Sequence, residues 1–334
     1  MTRSETRGLV APDPALEEAL RARLNDVEAT LEKVVRSDTD FVSDAASYLL
    51  QAGGKRFRPM VVLLSGCFGD GTDPRLVQGA AAIELTHVAT LYHDDVIDEA
   101  DQRHGVPSVN ARWDNTVAIL TGDFLFAKAS EISADLGTEV TRLLARTIAT
   151  VCDGQLREVE VSGKLDQSEA AYREIIRRKT AALIATSSRL GGMLSDAQVE
   201  VIELLDDVGM ALGLAFQLSD DIMDIISTEV ELKKQPGQDM REGVYTLPVL
   251  YALEDRDRGR ELAAVLAEGP PSGDRLHRAL DLVRNDGSLL RARDAVTHEV
   301  RRAMRLTEGL APGPAQDAFL HIARFIAERC GAEA

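Results

Sequence analysis

Cysteine is scarce: Cys67, Cys152 and Cys330 are the three in 334 residues, odd in number and far apart. That excludes a disulfide framework and a cysteine-rich zinc site, and suits a reducing compartment. Aromatic residues make up only 4%, with one tryptophan, while Ala and Leu recur throughout, a bias toward helix over sheet. No uncharged apolar run reaches the ~18 residues of a membrane span. The stretch from Met1 to Pro14 mixes charges with Pro and Gly and lacks the apolar core of a signal peptide, so it reads as a loose tail. Cations are also in deficit, with 38 Lys and Arg against 55 Asp and Glu and a formal net charge of −17. Such a balance argues against nucleic acid as a main partner, because phosphate contacts need basic side chains in excess. These absences together predict a soluble, cytoplasmic protein with at most peripheral membrane contact.

What is present is ample core material: 45% of the residues are hydrophobic. Apolar residues follow helical spacing from about Ala15 to Glu328. Breaks fall at Gly53-Gly54, Gly69-Asp70-Gly71, Gly191-Gly192, Gln235-Pro236-Gly237, Gly269-Pro270-Pro271 and Pro312-Gly313-Pro314. No long linker interrupts the pattern, so a single all-α domain over 15–330 is expected. Two stretches are apolar nearly all round and therefore belong in an interior: Leu76 to Tyr92, with Glu84 as its only carboxylate, and Val208 to Leu218, with none. Each runs directly into clustered aspartates, Asp94-Asp95-Val96-Ile97-Asp98 in the first and Asp220-Asp221-Ile222-Met223-Asp224 in the second.

In D-D-x-x-D the outer aspartates share a helical face and the middle one lies about 100° round. Three carboxylates this close repel one another, and no Lys or Arg lies within four residues to neutralise them. Hard oxygen ligands without a local counter-charge suit Mg²⁺, which bridges carboxylates to substrate phosphates. One such cluster in so acidic a chain is most simply a solvated face; two, each ending a buried helix, favour the metal. A basic counterpart stands in Gly53-Gly54-Lys55-Arg56-Phe57-Arg58-Pro59. Helix stop and restart explain its Gly and Pro, but three cations at the positive end of a helix call for a bound anion. Arg103 follows the first aspartate cluster as a further cation.

With these segments in hand the sequence resembles the trans-isoprenyl diphosphate synthases, the polyprenyl synthetase family. The resemblance spans about Ala15 to Ile326 and is carried by GGKRFRP at 53–59, DDVID at 94–98 with Arg103, Lys179-Thr180, FQLSDDIMD at 216–224, and Lys234-x-x-Gly237-x-Asp239 with Thr246-Leu247-Pro248. It implies an all-α isoprenoid synthase fold, the class I terpenoid synthase-like helical bundle around a central cavity, usually as a homodimer. It implies that Asp94, Asp95, Asp98, Asp220, Asp221 and Asp224 hold Mg²⁺ against an allylic diphosphate. Arg103, His104, Lys179, Gln217 and Lys234 would contact that diphosphate, with Thr180 near the developing cation. Lys55, Arg58 and His87 would hold isopentenyl diphosphate. Asp94, Asp95, Asp98, Asp220, Asp221, Arg103, Lys179 and Thr180 are the catalytic set.

Two positions depart from the family pattern: His104 stands where a second Arg is usual, and Val244 where a Lys is usual. Each removes a diphosphate contact, which keeps a non-catalytic regulatory subunit as a rival reading; a terpene cyclase of the same fold is the other. For product length, Thr90, Ala89 and Thr86 fall one and two turns before Asp94, with Ala82 and Ile83 beyond. In short-chain relatives aromatics close the pocket at this depth. This wall has none, so a product longer than farnesyl is expected, a long polyprenyl chain of the quinone-tail type, with geranylgeranyl as alternative.

Overall fold

The computed structural model describes residues 12–103, 105–227, 236–284 and 287–334. His104, Lys234 and most of the expected N-terminal tail lie outside them. The described chain is helical: α1 Pro14–Val34, α2 Asp40–Gln51, α3 Phe57–Gly66, α4 Arg75–Ile97, α5 Val109–Arg112, α6 Asn115–Asp135, α7 Thr138–Val161, α8 Glu169–Ile176, α9 Ala182–Leu194, α10 Val199–Ile226, α11 Gln238–Arg241, α12 Leu247–Leu253, α13 Arg258–Ala267, α14 Gly273–Arg284, α15 Ser288–Thr307 and α16 Pro314–Cys330. Between α8 and α9 the residues Arg177–Ala181 form one π-helical turn. Helical periodicity left no place for strands, yet a two-residue antiparallel ladder pairs β1 (Gln102–Arg103) with β2 (Val106–Pro107). Gly105, at φ +80°, supplies the left-handed backbone between them, and a turn this short leaves no periodic pattern to read.

Two compact units divide the chain, and each draws on three segments: residues 1–148, 183–209 and 306–321 in the first, 149–182, 210–305 and 322–334 in the second. In the first unit α4 is the core element. From Leu76 to Asp95 it buries residues on every side, as its lack of a polar face predicts. It packs chiefly on α6, and on α3 and α1. Small residues make this close: a Cβ on Gly122 of α6 would lie 2.3 Å from His93 Nε2, and one on Gly191 of α9 would lie 2.2 Å from the Val62 carbonyl oxygen of α3. Tyr92 is fully buried and satisfied, its hydroxyl donating to the Ala45 carbonyl at 2.6 Å and accepting from the Leu49 N–H at 3.3 Å.

Glu84 is buried in the same helix and would be costly alone. Arg56 answers it. At φ +47°, in the left-handed region just before α3, Arg56 sends its guanidinium inward to Glu84 Oε1 at 2.8 Å, to the Leu50 carbonyl at 2.8 Å, and to Glu28 of α1. Burial still pushes the Glu84 carboxyl up from its ordinary value, against the pull of Arg56 and Arg58. One of the three cations read as anion-binding is therefore a structural counter-ion, and it ties α1, α3 and α4 together.

In the second unit the C-terminal half of α10 plays the central part, with Ala211, Leu212, Ala215, Leu218, Ile222 and Ile225 buried. Gly213 lets the π-turn come close, since a Cβ there would stand 2.7 Å from Ala181 Cα. Thr246 caps α12 and Pro248 sits in its first turn, where its missing N–H costs nothing.

Removing Arg56 leaves Glu84 as an uncompensated buried charge. Arg56→Gln is expected to lower the unfolding free energy by about 3–5 kcal/mol in urea titrations, and adding Glu84→Gln should recover part of it. Because the folded-state value of Glu84 is raised, the folded protein binds more protons than the unfolded one above the ordinary glutamate value of 4.5. The Glu84 contribution therefore declines as pH rises through that window, and Glu84→Gln should flatten the slope.

Candidate active site

The first acidic cluster forms the last turn of α4, with Asp98 as its C-cap. Asp94 and Asp98 are half-exposed, while Asp95 has no exposed surface. Two nitrogens of Arg103 reach Asp95 Oδ1, Nε at 2.7 Å and Nη2 at 2.6 Å. The β1–β2 hairpin folds Arg103 back onto the turn it follows. The cluster thus has a counter-charge, eight residues on, which a search of the flanking four residues misses. A carboxylate at a helix C-terminus is disfavoured by the dipole; the guanidinium offsets both that and the loss of water.

The basic segment of the same unit divides. Arg56 is committed inward, whereas Lys55, just before α3, and Arg58, in its first turn, are half-buried. His87 is half-buried on α4, two turns before Asp94.

In the second unit the other acidic cluster lies near the end of α10. Asp220 is 40% exposed and pairs with Arg329 of α16, whose guanidinium also lies over the Phe216 ring, 5.1 Å from its centroid. Asp221 is buried and accepts from Gln217 Nε2 at 2.8 Å and from the Tyr172 hydroxyl. Burial pushes the Asp221 carboxyl up, opposed by these two donors and reinforced by Asp220 and Asp224. The same burial, with Asp221 adjacent, raises the Tyr172 phenol. Asp224 accepts the backbone N–H groups of Gln238 and Asp239 at 3.2 Å each, while the Gly237 N–H donates to its carbonyl at 2.8 Å.

Lys179 and Thr180 occupy the π-turn. Lys179 pairs with Glu158 of α7, and the Thr180 hydroxyl donates to Gln217 Oε1 at 2.8 Å. A π-turn shifts side chains relative to a regular helix and recurs at functional sites. Here Gly154 of α7 makes room for it, because a Cβ there would stand 2.6 Å from the Lys179 nitrogen.

Among the described residues no three His, Cys, Asp or Glu side chains converge as a ready metal site. The donor chemistry nonetheless fits a hard divalent cation, since each cluster offers only carboxylate oxygens. In both clusters the first aspartate is half-exposed and the second is buried and tied down. Sequence reasoning missed Tyr172, Glu158, Arg329 and Gly154. Tyr172 and Arg329 lie 49 and 109 residues from the aspartates they contact, and no local pattern signals either pairing.

Known proteins resemble this chain along most of its length. The polyprenyl synthetase family model matches residues 39–283. The chain is 40% identical over 328 residues to a nonaprenyl diphosphate synthase of Mycobacterium tuberculosis, covering 97% of each. It is 39% identical over 305 residues to heptaprenyl diphosphate synthase component 2 of Geobacillus stearothermophilus, covering 91% of this chain and 94% of that one. Among solved structures, geranylgeranyl pyrophosphate synthase from Corynebacterium glutamicum, complexed with calcium and isoprenyl diphosphate, matches with a TM-score of 0.85 and 40% identity, over 97% of this chain and 99% of that one.

The contact at Gly154 yields a test. Gly154→Ala must displace the backbone of the π-turn rather than a flexible side chain, so a stability loss of about 1–3 kcal/mol is expected. Amide hydrogen exchange over 177–181 should quicken; unchanged exchange would mean that the turn does not depend on this approach.

Proposed function

This chain belongs to the polyprenyl synthetase family and is a trans-prenyl diphosphate synthase; we propose that it joins isopentenyl diphosphate head to tail to an allylic diphosphate, with Mg²⁺ as the cation. The observation that carries the assignment of residues is the common build of the two acidic turns, in which a buried, tied aspartate supports a half-exposed one. Asp94 and Asp98 on α4 and Asp220 on α10 are the proposed cation ligands. Asp95, Asp221 and Asp224, expected as ligands from the sequence, are buried and hydrogen-bonded and are proposed instead to hold those turns in shape. A bound divalent cation would neutralise the charge that builds on the departing diphosphate.

The remaining roles fall to the protein's own side chains. Arg103 and Lys179 are proposed to face the allylic diphosphate, oriented by Asp95 and Glu158 respectively. Gln217 is proposed to contact that diphosphate too, with the Thr180 hydroxyl, which donates to it, beside the allylic carbon as its C–O bond breaks. Lys55, Arg58 and His87 are proposed to anchor isopentenyl diphosphate so that its double bond meets the cation. Proton loss to the released diphosphate then completes the product without a dedicated protein base. His104 and Lys234, which lie outside the described residues, are proposed to contact the same diphosphate.

The interleaving of both units along the sequence supports a single cooperative domain over 15–330. Ile119 and Leu120 of α6, 44% and 62% exposed, support a homodimer that would cover them. No described helix is long and apolar enough to cross a membrane. A long-chain product is supported by the small residues on α4, with Thr86 and Ala89 buried and Thr90 half-buried. It is also in keeping with the nonaprenyl and heptaprenyl relatives. Geranylgeranyl diphosphate is the alternative, since the solved relative of that name is equally similar.

The deciding experiment supplies purified protein with Mg²⁺, isopentenyl diphosphate and allylic primers, and resolves the products by length. Turnover should require the cation and fall by roughly 10²-fold or more in Asp94→Ala and Asp220→Ala, with helical content retained. Activity surviving both chelation and these substitutions would overturn the metal assignment. For length, Thr90→Phe is preferable to Ala89→Phe, because Ala89 has no exposed surface and a ring there overpacks the core. A shorter product from Thr90→Phe is expected; farnesyl diphosphate from the wild type would refute the long-chain reading.

A further inference from the structure

Tyr172 is 3% exposed and Asp221 is 2% exposed, and each lowers stability by being buried unless it is hydrogen-bonded. The two meet, but their contact is one link in a longer chain. Asp221 uses Oδ2 for the Tyr172 hydroxyl and Oδ1 for Gln217 Nε2, and Gln217 Oε1 in turn accepts the Thr180 hydroxyl. The chain has a fixed polarity. Both Asp221 oxygens accept, one from the phenol and one from the amide, so Gln217 turns its NH₂ to Asp221 and its oxygen to Thr180. Thr180 then spends its proton on Gln217 and presents lone pairs elsewhere.

We propose that Tyr172 is a positioning residue of the prenyl-transfer reaction, acting through Asp221 to fix the amide of Gln217 and, through it, the orientation of the Thr180 hydroxyl. A hydroxyl held in this sense offers an electron-rich oxygen to the carbon that becomes cationic. One free to rotate could instead point its proton there, with the opposite electrostatic effect. The phenol holds Asp221 Oδ2 from α8, in the same chain segment as the π-turn that carries Thr180, so both ends of the relay are anchored to one element. Desolvation strengthens the Tyr172–Asp221 link, and breaking it leaves a buried carboxylate oxygen unsatisfied; the links through Gln217 and Thr180 are half-buried. The inference rests on the prenyl-transfer reading for its kinetic consequence but not for its geometry.

Tyr172→Phe keeps the ring and removes only the hydroxyl. The expected result is a fall in kcat of about tenfold, with KM for isopentenyl diphosphate unchanged. In a double-mutant cycle with Gln217→Leu the two losses should not multiply, because the tyrosine acts through the glutamine. Multiplying losses, or a rise in KM for isopentenyl diphosphate with kcat intact, would reduce Tyr172 to a packing role. A readout independent of turnover comes from ¹⁵N-glutamine labelling of the full chain. The Gln217 side-chain NH₂ signal should be protected from exchange in the wild type and lose that protection in Tyr172→Phe. Equal protection in both would overturn the relay. Should Tyr172→Phe not fold, Asp221→Asn reads the same signal, since an amide at 221 permits Gln217 to flip. An inactive wild type would defeat the prenyl-transfer reading, while the NH₂ signal would still decide the relay.

Discussion

Buried carboxylates are the constraint on which the rest of this molecule depends. A chain with 55 acidic residues and a net charge of −17 could keep them all in water, yet Glu84, Asp95, Asp221 and Asp224 are buried. Their compensation is of three kinds: a guanidinium for Glu84 and for Asp95, a phenol and an amide for Asp221, and backbone N–H groups at the start of α11 for Asp224. Desolvation is costly enough that each partner must be held in place, and holding the partners organises the fold. Arg56 spans three helices to do so, and the short hairpin brings Arg103 back onto Asp95 of α4.

The second organising feature is close approach. With few aromatics to fill space, the helices meet through glycine and alanine, and several of these close contacts fall beside the candidate site residues. Gly122 faces His93, next to Asp94; Gly154 and Gly213 face the π-turn that carries Lys179 and Thr180. Packing at that distance leaves the turn no room to relax into a regular helix, so the π geometry is enforced from outside the segment rather than by its own sequence. Rigid placement of small polar groups suits the proposed ionisation of an allylic diphosphate, because the groups must be oriented before charge develops.

The site geometry adds detail that the family relationship does not supply. The tied aspartates account for why the middle carboxylate of each cluster is an aspartate at all, although it turns inward. The pairing of Lys179 with Glu158 shows how a cation can be aimed by its neighbour. Relatives named for nonaprenyl, heptaprenyl and geranylgeranyl products share 39–40% identity with this chain, so overall similarity does not select a product length. The proposed length determinants, the small side chains at 86, 89 and 90 along α4, are a local feature that overall identity does not report.

Much of this was legible before any coordinates. Helical period is a local property, set by residues three and four apart, so the all-α fold, the apolar course of α4 and α10 and the emergence of aspartates at their ends followed directly from the order of residues. Ion-pair choice is not local. Nothing near Arg56 separates it from Lys55 and Arg58, and only the apposition of α1 and α4 commits it to Glu28 and Glu84. The hairpin that returns Arg103 to Asp95, the reach of Tyr172 to Asp221 and that of Arg329 to Asp220 likewise depend on which helices meet. The sequence by itself determined where the helices run and where charge collects. Tertiary structure alone decided which charge neutralises which, because that choice depends on distance and desolvation, and both exist only after packing.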